Sequence, residues 1–117
     1  MEQFCYEKLD VYQCSMEFLA HVYVIIDKLP KGYCHLEDQL RRSSLSIPLN
    51  IAEACGKSSP QERKRFFDIA RGSALESSAI LNCCFTLNLA HPVNLQKSRS
   101  LLMRIVQMLS KLAPHSR

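Results

Sequence analysis

The spacing of apolar residues constrains this chain most. They recur every three or four positions in four blocks, and proline or glycine punctuates the gaps. From Leu9 to Leu29 one stripe is Val11, Phe18, Val22, Ile25 and Leu29, with Ser15 at the missing heptad position; a second is Tyr12, Met16, Leu19, Tyr23 and Ile26. Such spacing lines one side of a helix, and two adjacent stripes predict a wide apolar face. Residues 1–8 read as an irregular lead-in. Leu29-Pro30-Lys31-Gly32 ends the first helix, because proline disfavours helix in the residue before it and glycine releases the chain.

The second helix is expected from His35 to Cys55, with Leu36, Leu40, Ile47, Ile51 and Ala54 as its core stripe. Beside that stripe runs a polar one. Gln39, Arg42, Ser46, Asn50 and Glu53 fall within about 80° of one another at the helical turn angle. Pro48 cannot donate to the Ser44 carbonyl and its ring crowds that group, so a kink or break is expected there. The hydroxyls of Ser43, Ser44 and Ser46 are available to freed backbone groups.

Ser59-Pro60-Gln61-Glu62 opens the third helix as a capping box with proline at the first helical position. Its expected core stripe is Phe66, Phe67, Ala70, Ala74, Leu81, Cys84 and Phe85, ending near Leu89 before Pro92. The small residues from Ala70 to Ala79 include Gly72, which costs about 1 kcal/mol against alanine in a helix and suggests close approach of another backbone. Asn94 is the expected cap of a fourth helix, Leu95 to Leu112, striped by Leu95, Leu102, Val106 and Leu109 and by Leu101, Ile105, Met108 and Leu112. Short connections favour antiparallel neighbours, so the prediction is an all-α, up-down-up-down four-helix bundle, kinked at Pro48, formed by residues 1–117 as one domain. The wide apolar faces of the first and fourth helices exceed what a lone bundle buries, which predicts a homo-oligomer.

The bundle makes a di-iron carboxylate site worth testing, but Glu-x-x-His is absent and the fourth helix carries no acid. Glu17 and His21 sit one turn apart and are two ligands where a metal needs more. C-x-x-C-H, G-x-S-x-G and phosphate-binding glycine loops are all missing. Glu53 and Glu76 read better as partners of Arg42 or Arg71 than as an acid/base pair. No enzyme, metal or cofactor is expected. The six cysteines lack zinc-ligand spacing, and the N-terminus lacks the basic region of a signal peptide; reduced thiols in a cytoplasmic protein, with no membrane span, are the expectation.

Charge is placed unevenly. Residues 1–56 carry five basic and eight acidic side chains, net −3, whereas residues 57–117 carry ten basic and three acidic, net +7. No acid follows Glu76. Lys57, Arg63, Lys64, Arg65 and Arg71 cluster around the start of the third helix, where backbone N–H groups add anion affinity. With Arg41, Arg42, Arg104 and Lys111 they are the candidate nucleic-acid-binding residues, acting on phosphates rather than by stacking, because few aromatics lie outside the core.

The central segment also resembles a known family. Gln39-Leu40-Arg41-Arg42, Ser46-Ile47-Pro48, Asn50-Ile51-Ala52-Glu53, then Phe66, Ile69-Ala70, Gly72-Ser73 and Glu76, with Leu9-Asp10-Val11-Tyr12 before them, are similar to the bacterial four-helix bundle proteins associated with intervening sequences in 23S ribosomal RNA genes. Ser43-Ser44 replaces the family's Ala-Ala, and Ala54 stands where a glycine is usual. More distantly the chain resembles the accessory variability protein of diversity-generating retroelements. The resemblance implies a homopentamer of antiparallel bundles. It makes Gln39, Arg42, Ser46, Pro48, Asn50, Glu53, Gly72, Ser73 and Glu76 motif positions, expected first to determine fold and assembly. The functional expectation is a non-enzymatic homo-oligomer that binds structured RNA or other nucleic acid. The alternative is an adaptor or scaffold for an acidic protein such as a reverse transcriptase.

Overall fold

The computed structural model describes residues 2–114. They form a short 3-10 turn, Cys5–Lys8, and four helices: α1 (Asp10–Asp27), α2 (Cys34–Cys55), α3 (Pro60–Thr86) and α4 (Pro92–Leu112). Among the described residues there is no strand, as expected. The lead-in is not wholly irregular, since Cys5–Lys8 makes a turn that packs on α1 and α2.

Around the bundle α1 packs on α2 and α4, and α3 packs on α2 and α4. The backbones of the diagonal pairs, α1 with α3 and α2 with α4, do not come close. Side-chain pairs give the sense of the joints. Ser43 meets Ser77 and Ser46 meets Ser73, so rising numbers in α2 run against falling numbers in α3. Arg71 with Ser110 and Asn82 with Arg99 show the same opposition between α3 and α4.

Local chemistry sets the helix ends. Ser59 Oγ accepts the Glu62 N–H at 3.1 Å, and Pro60 is the first residue of α3. The other end of α3 comes earlier than Leu89. Asn88 adopts a left-handed φ of 56°, the Leu89 N–H reaches the Cys84 carbonyl at 2.9 Å and the Asn88 N–H reaches Phe85 at 3.1 Å. That pair of hydrogen bonds is a Schellman stop, which Asn tolerates better than most residues. The α4 cap is His91 rather than Asn94. Its Nδ1 accepts the Val93 N–H at 3.2 Å, and Pro92 takes the first helical position.

The core follows the predicted stripes closely. Val11, Phe18, Val22, Ile25, Leu40, Ile47, Ile51, Ala54, Phe67, Ala70, Ala74, Leu81, Leu102, Ile105 and Leu109 are all buried. Cys14 and Ile80 join them, although the stripes leave them out. Phe85 departs from expectation: it is 62% exposed, because Cys84 takes the inward position in the last turn of α3. The second stripe of α1 splits, with Ile26 buried, Tyr12 and Tyr23 packed at the core margin, and Met16 exposed.

At Pro48 α2 runs on unbroken, and the ring is buried. The serine hydroxyls do not serve the carbonyl that proline frees. Ser44 Oγ instead donates to the Leu40 carbonyl at 2.6 Å, one turn earlier.

Candidate nucleic-acid interface and the α2–α3 seam

Of all the helix pairs, α2 and α3 pack most extensively. Their facing sides are lined by small polar residues, which bring the helices close only if each buried hydroxyl finds a partner. Each does. Ser43 Oγ and Ser77 Oγ lie 2.7 Å apart, both fully buried. Ser73 Oγ donates to Ser46 Oγ at 2.8 Å, while Asn50 Nδ2 donates to the Ser46 carbonyl at 2.8 Å and to Ser46 Oγ at 2.9 Å. At the solvent edge Arg42 Nη2 donates to Gln39 Oε1 at 2.9 Å and pairs with the Glu76 carboxylate.

Six motif positions, Gln39, Arg42, Ser46, Asn50, Ser73 and Glu76, therefore belong to one seam. Three do not. Pro48 lies in the core, and Glu53 pairs with Lys57 at 3.4 Å. Glu53 cannot reach Arg42, because eleven residues of helix separate their backbones by about 16 Å along the axis. Gly72 is exposed on α3, and a Cβ placed there would meet nothing within 4 Å, so no helix of this chain makes the close approach expected. The pairing of Ser43 with Ser77 lies outside the sequence reading. Ser43 stands where the family has alanine, and the hydroxyl pairing appears only when the two helices are set side by side.

Several candidate cations are engaged within the chain. Arg41 pairs with Glu37 at 3.9 Å and lies over the Tyr23 ring, with 5.5 Å to its centroid. Arg42 is held by Glu76; with its side chain 56% exposed, that pair contributes at most about 1 kcal/mol. Lys64 pairs with Asp68 at 3.1 Å. Arg63 turns back to cap the α2–α3 connection, donating to the carbonyls of Lys57 and Ser58 at 3.0 and 3.1 Å. Arg71 does not meet Glu53 or Glu76; its Nε donates to Ser110 Oγ at 2.9 Å.

The start of α1, the end of α2, the start of α3 and the end of α4 meet at one end of the bundle, as Cys5 against Cys55 and Leu9 beside Met108 and Leu112 show. Lys57, Arg63, Lys64 and Arg65 gather there, and Lys111 lies beside Leu9 at the same end. Lys57 and Arg65 both approach the Phe66 ring, each 5.2 Å from its centroid. Arg65 has no carboxylate partner among the described residues, and it lines a hollow with Gln61, Lys64, Asp68 and Ile69. The N–H groups at the α3 start offer less than expected, because Ser59 already takes the Glu62 N–H and Pro60 has none. Arg104 stands apart from this end, in a groove between α1 and α4 with Glu17, His21 and Lys97.

Glu17 and His21 gain no third ligand: among the described residues no group of three or more His, Cys, Asp or Glu could hold a metal. Glu53 and Glu76 have separate cationic partners rather than a shared site. All six cysteines are free thiols; burial pushes the Cys14 and Cys84 thiols up, with Arg104 partly opposing it at Cys14. No described helix is long and apolar enough to cross a membrane.

Exposed apolar side chains are more widely spread than the stripes of the first and fourth helices foretold. Leu45 and Leu49 stand out from α2, Ile69 and Leu75 from α3, and Met103 from α4. A groove of about 350 Å³ between α3 and α4 is lined by Leu75, Asn82, Arg99, Met103 and Val106.

A four-helix bundle with a hydrogen-bonded α2–α3 seam and a basic end is the class that fold and site define. The family model described as 23S rRNA-intervening sequence protein matches residues 7–111, and the chain belongs to that family. Among solved structures it is similar to a crystal structure of a protein of unknown function from the S23 ribosomal protein family of Bacteroides thetaiotaomicron VPI-5482. The TM-score is 0.82 at 20% identity, covering 90% of this chain and 99% of that one, a likeness of fold. No curated protein matches.

Proposed function

We propose that the chain is a non-enzymatic, homo-oligomeric bundle, pentameric as its family resemblance implies, that binds structured RNA in the cytoplasm through its basic end. The observation that carries this reading is the convergence of Lys57, Arg63, Lys64, Arg65 and Lys111 at one end of the bundle. The family's link to 23S rRNA intervening sequences favours RNA as the polyanion. Self-assembly is supported by the outward Leu45, Leu49, Ile69 and Leu75, and by Gly72, open and lying between Ile69 and Leu75 around the α3 axis. A symmetric assembly repeats the basic end, and phosphate contacts add.

Fluorescence anisotropy with a structured RNA tests the reading. Affinity should fall steeply between about 50 and about 200 mM salt, by roughly a thousandfold where about six phosphates are neutralised. Arg65→Glu should weaken binding and flatten the salt slope, by about 0.7–0.9 for each phosphate that is no longer neutralised. Binding that ignores salt, or that Arg65→Glu leaves unchanged, would overturn it. Light scattering that finds only the monomer mass would remove the oligomer. The α3–α4 groove favours the second reading, an adaptor for an acidic protein, because Arg99 stands among apolar residues with no carboxylate partner among the described residues. A protein partner retained after nuclease treatment, and absent with Arg99→Glu, would select it.

A further inference from the structure

Two thiols that the proposed function does not use lie together at the basic end. Cys5 begins the 3-10 turn before α1, and Cys55 is the last residue of α2, fifty positions further on. Cys5 Sγ donates to the Cys55 carbonyl oxygen at 3.9 Å, which sets the two cysteines side by side. The remaining cysteines offer no such pair. Cys14 is buried and donates to the Leu101 carbonyl, Cys34 is exposed at the opposite end of α2, and Cys83 and Cys84 are consecutive residues of one helix whose side chains diverge by about 100°.

We propose that Cys5 and Cys55 are a dithiol site that closes to an intramolecular disulfide by exchange with a small-molecule disulfide, fastening the 3-10 turn to the end of α2. Exposure makes Cys5 the attacking group. Its thiolate attacks one sulfur of the small disulfide, forming a mixed disulfide and releasing one small thiolate. The Cys55 thiolate then attacks the Cys5 sulfur, closing the protein disulfide and releasing the second small thiolate. The two protein protons leave on the two small thiols, and the two electrons given up by the protein reduce the small disulfide.

Burial pushes the Cys55 thiol up, and its Cys5 neighbour adds to this, while the Arg63 guanidinium works in the opposite direction. A half-buried thiol beside a cation suits the resolving role, since it meets the mixed disulfide only after Cys5 has formed it. The 3-10 turn already packs on α2, which keeps the two cysteines near each other.

Incubating the full chain with oxidised glutathione, followed by thiol counting and peptide mapping, tests this. The count of free thiols should fall by two, with one peptide pair joining Cys5 to Cys55 within a single chain, the mass lower by two hydrogens, and recovery on reduction. Cys55→Ser should leave glutathione on Cys5, whereas a Cys34→Ser, Cys83→Ser double variant should close like the wild type. Glutathione persisting on wild-type Cys5, or a cross-link joining two chains through Cys5, would overturn the proposal. Both refuting outcomes are read on the unaltered chain, so they hold even if a variant fails to fold.

Discussion

The Ser43–Ser77 pair should behave as a coupled unit. Both residues are fully buried, with oxygens 2.7 Å apart. Replacing Ser43 with alanine removes the bond and strands the Ser77 hydroxyl, which has no second partner among the described residues. A stranded buried hydroxyl costs about 1–3 kcal/mol, so Ser43→Ala should lower stability by about 2 kcal/mol. Ser77→Ala strands Ser43 less completely, because the Leu40 carbonyl lies 3.5 Å from its Oγ. That variant should be less stable by about 1 kcal/mol, the net worth of one hydrogen bond. The double variant leaves no orphan and should also be less stable by about 1 kcal/mol, giving a coupling of about 2 kcal/mol, within the range seen for contacting residues. For a chain of this size, about 1 kcal/mol corresponds to about 4 °C in Tm. Urea and thermal unfolding of the four proteins, at one fixed protein concentration because assembly shifts apparent stability, gives the cycle. Additive effects, or a double variant less stable than Ser43→Ala, would refute the reasoning.

Ser98 is fully buried on α4 and its hydroxyl has no partner among the described residues, so Ser98→Ala should raise stability by about 1 kcal/mol, read as a higher urea midpoint; a lower one would show that the hydroxyl is bonded. Ser59→Ala removes the cap on the Glu62 N–H and should lower stability by about 1 kcal/mol, whereas Ser59→Asp should retain most of it.

The four helices are legible because their signals are local. Apolar spacing names most of the core, and Ser59-Pro60 marks the α3 start by the same chemistry that holds it. Pro92 carries an equivalent signal. Asn94 masks it, because Asn caps through a familiar side-chain oxygen while His91 caps through a ring nitrogen. The end of α3 is hard to place because nothing in the sequence marks Asn88 as the residue that turns left-handed. Partner choice is the harder problem. Glu53 stands four residues before Lys57, so helical spacing alone favours their pairing over the distant Arg42 and Arg71. Arg42 is expected to hold Glu53 or Glu76, and it holds Glu76; the bond of Ser43 to Ser77 depends on the relative setting of two helices, which no single-helix pattern contains. The candidate basic end is half legible. Its cations are clustered in sequence, but Arg63 and Lys64 are already committed to carbonyls or a carboxylate.

The order of packing around the bundle has a kinetic meaning. Ser46 finds Ser73 across 27 positions, whereas Cys14 reaches the Leu101 carbonyl across 87. The longer closure costs only about 1 kcal/mol more, since loop entropy grows with the logarithm of length. The α2–α3 hairpin combines a short closure with the most extensive packing, so a folding chain is expected to commit there first. The α1–α4 joint closes last at small extra cost.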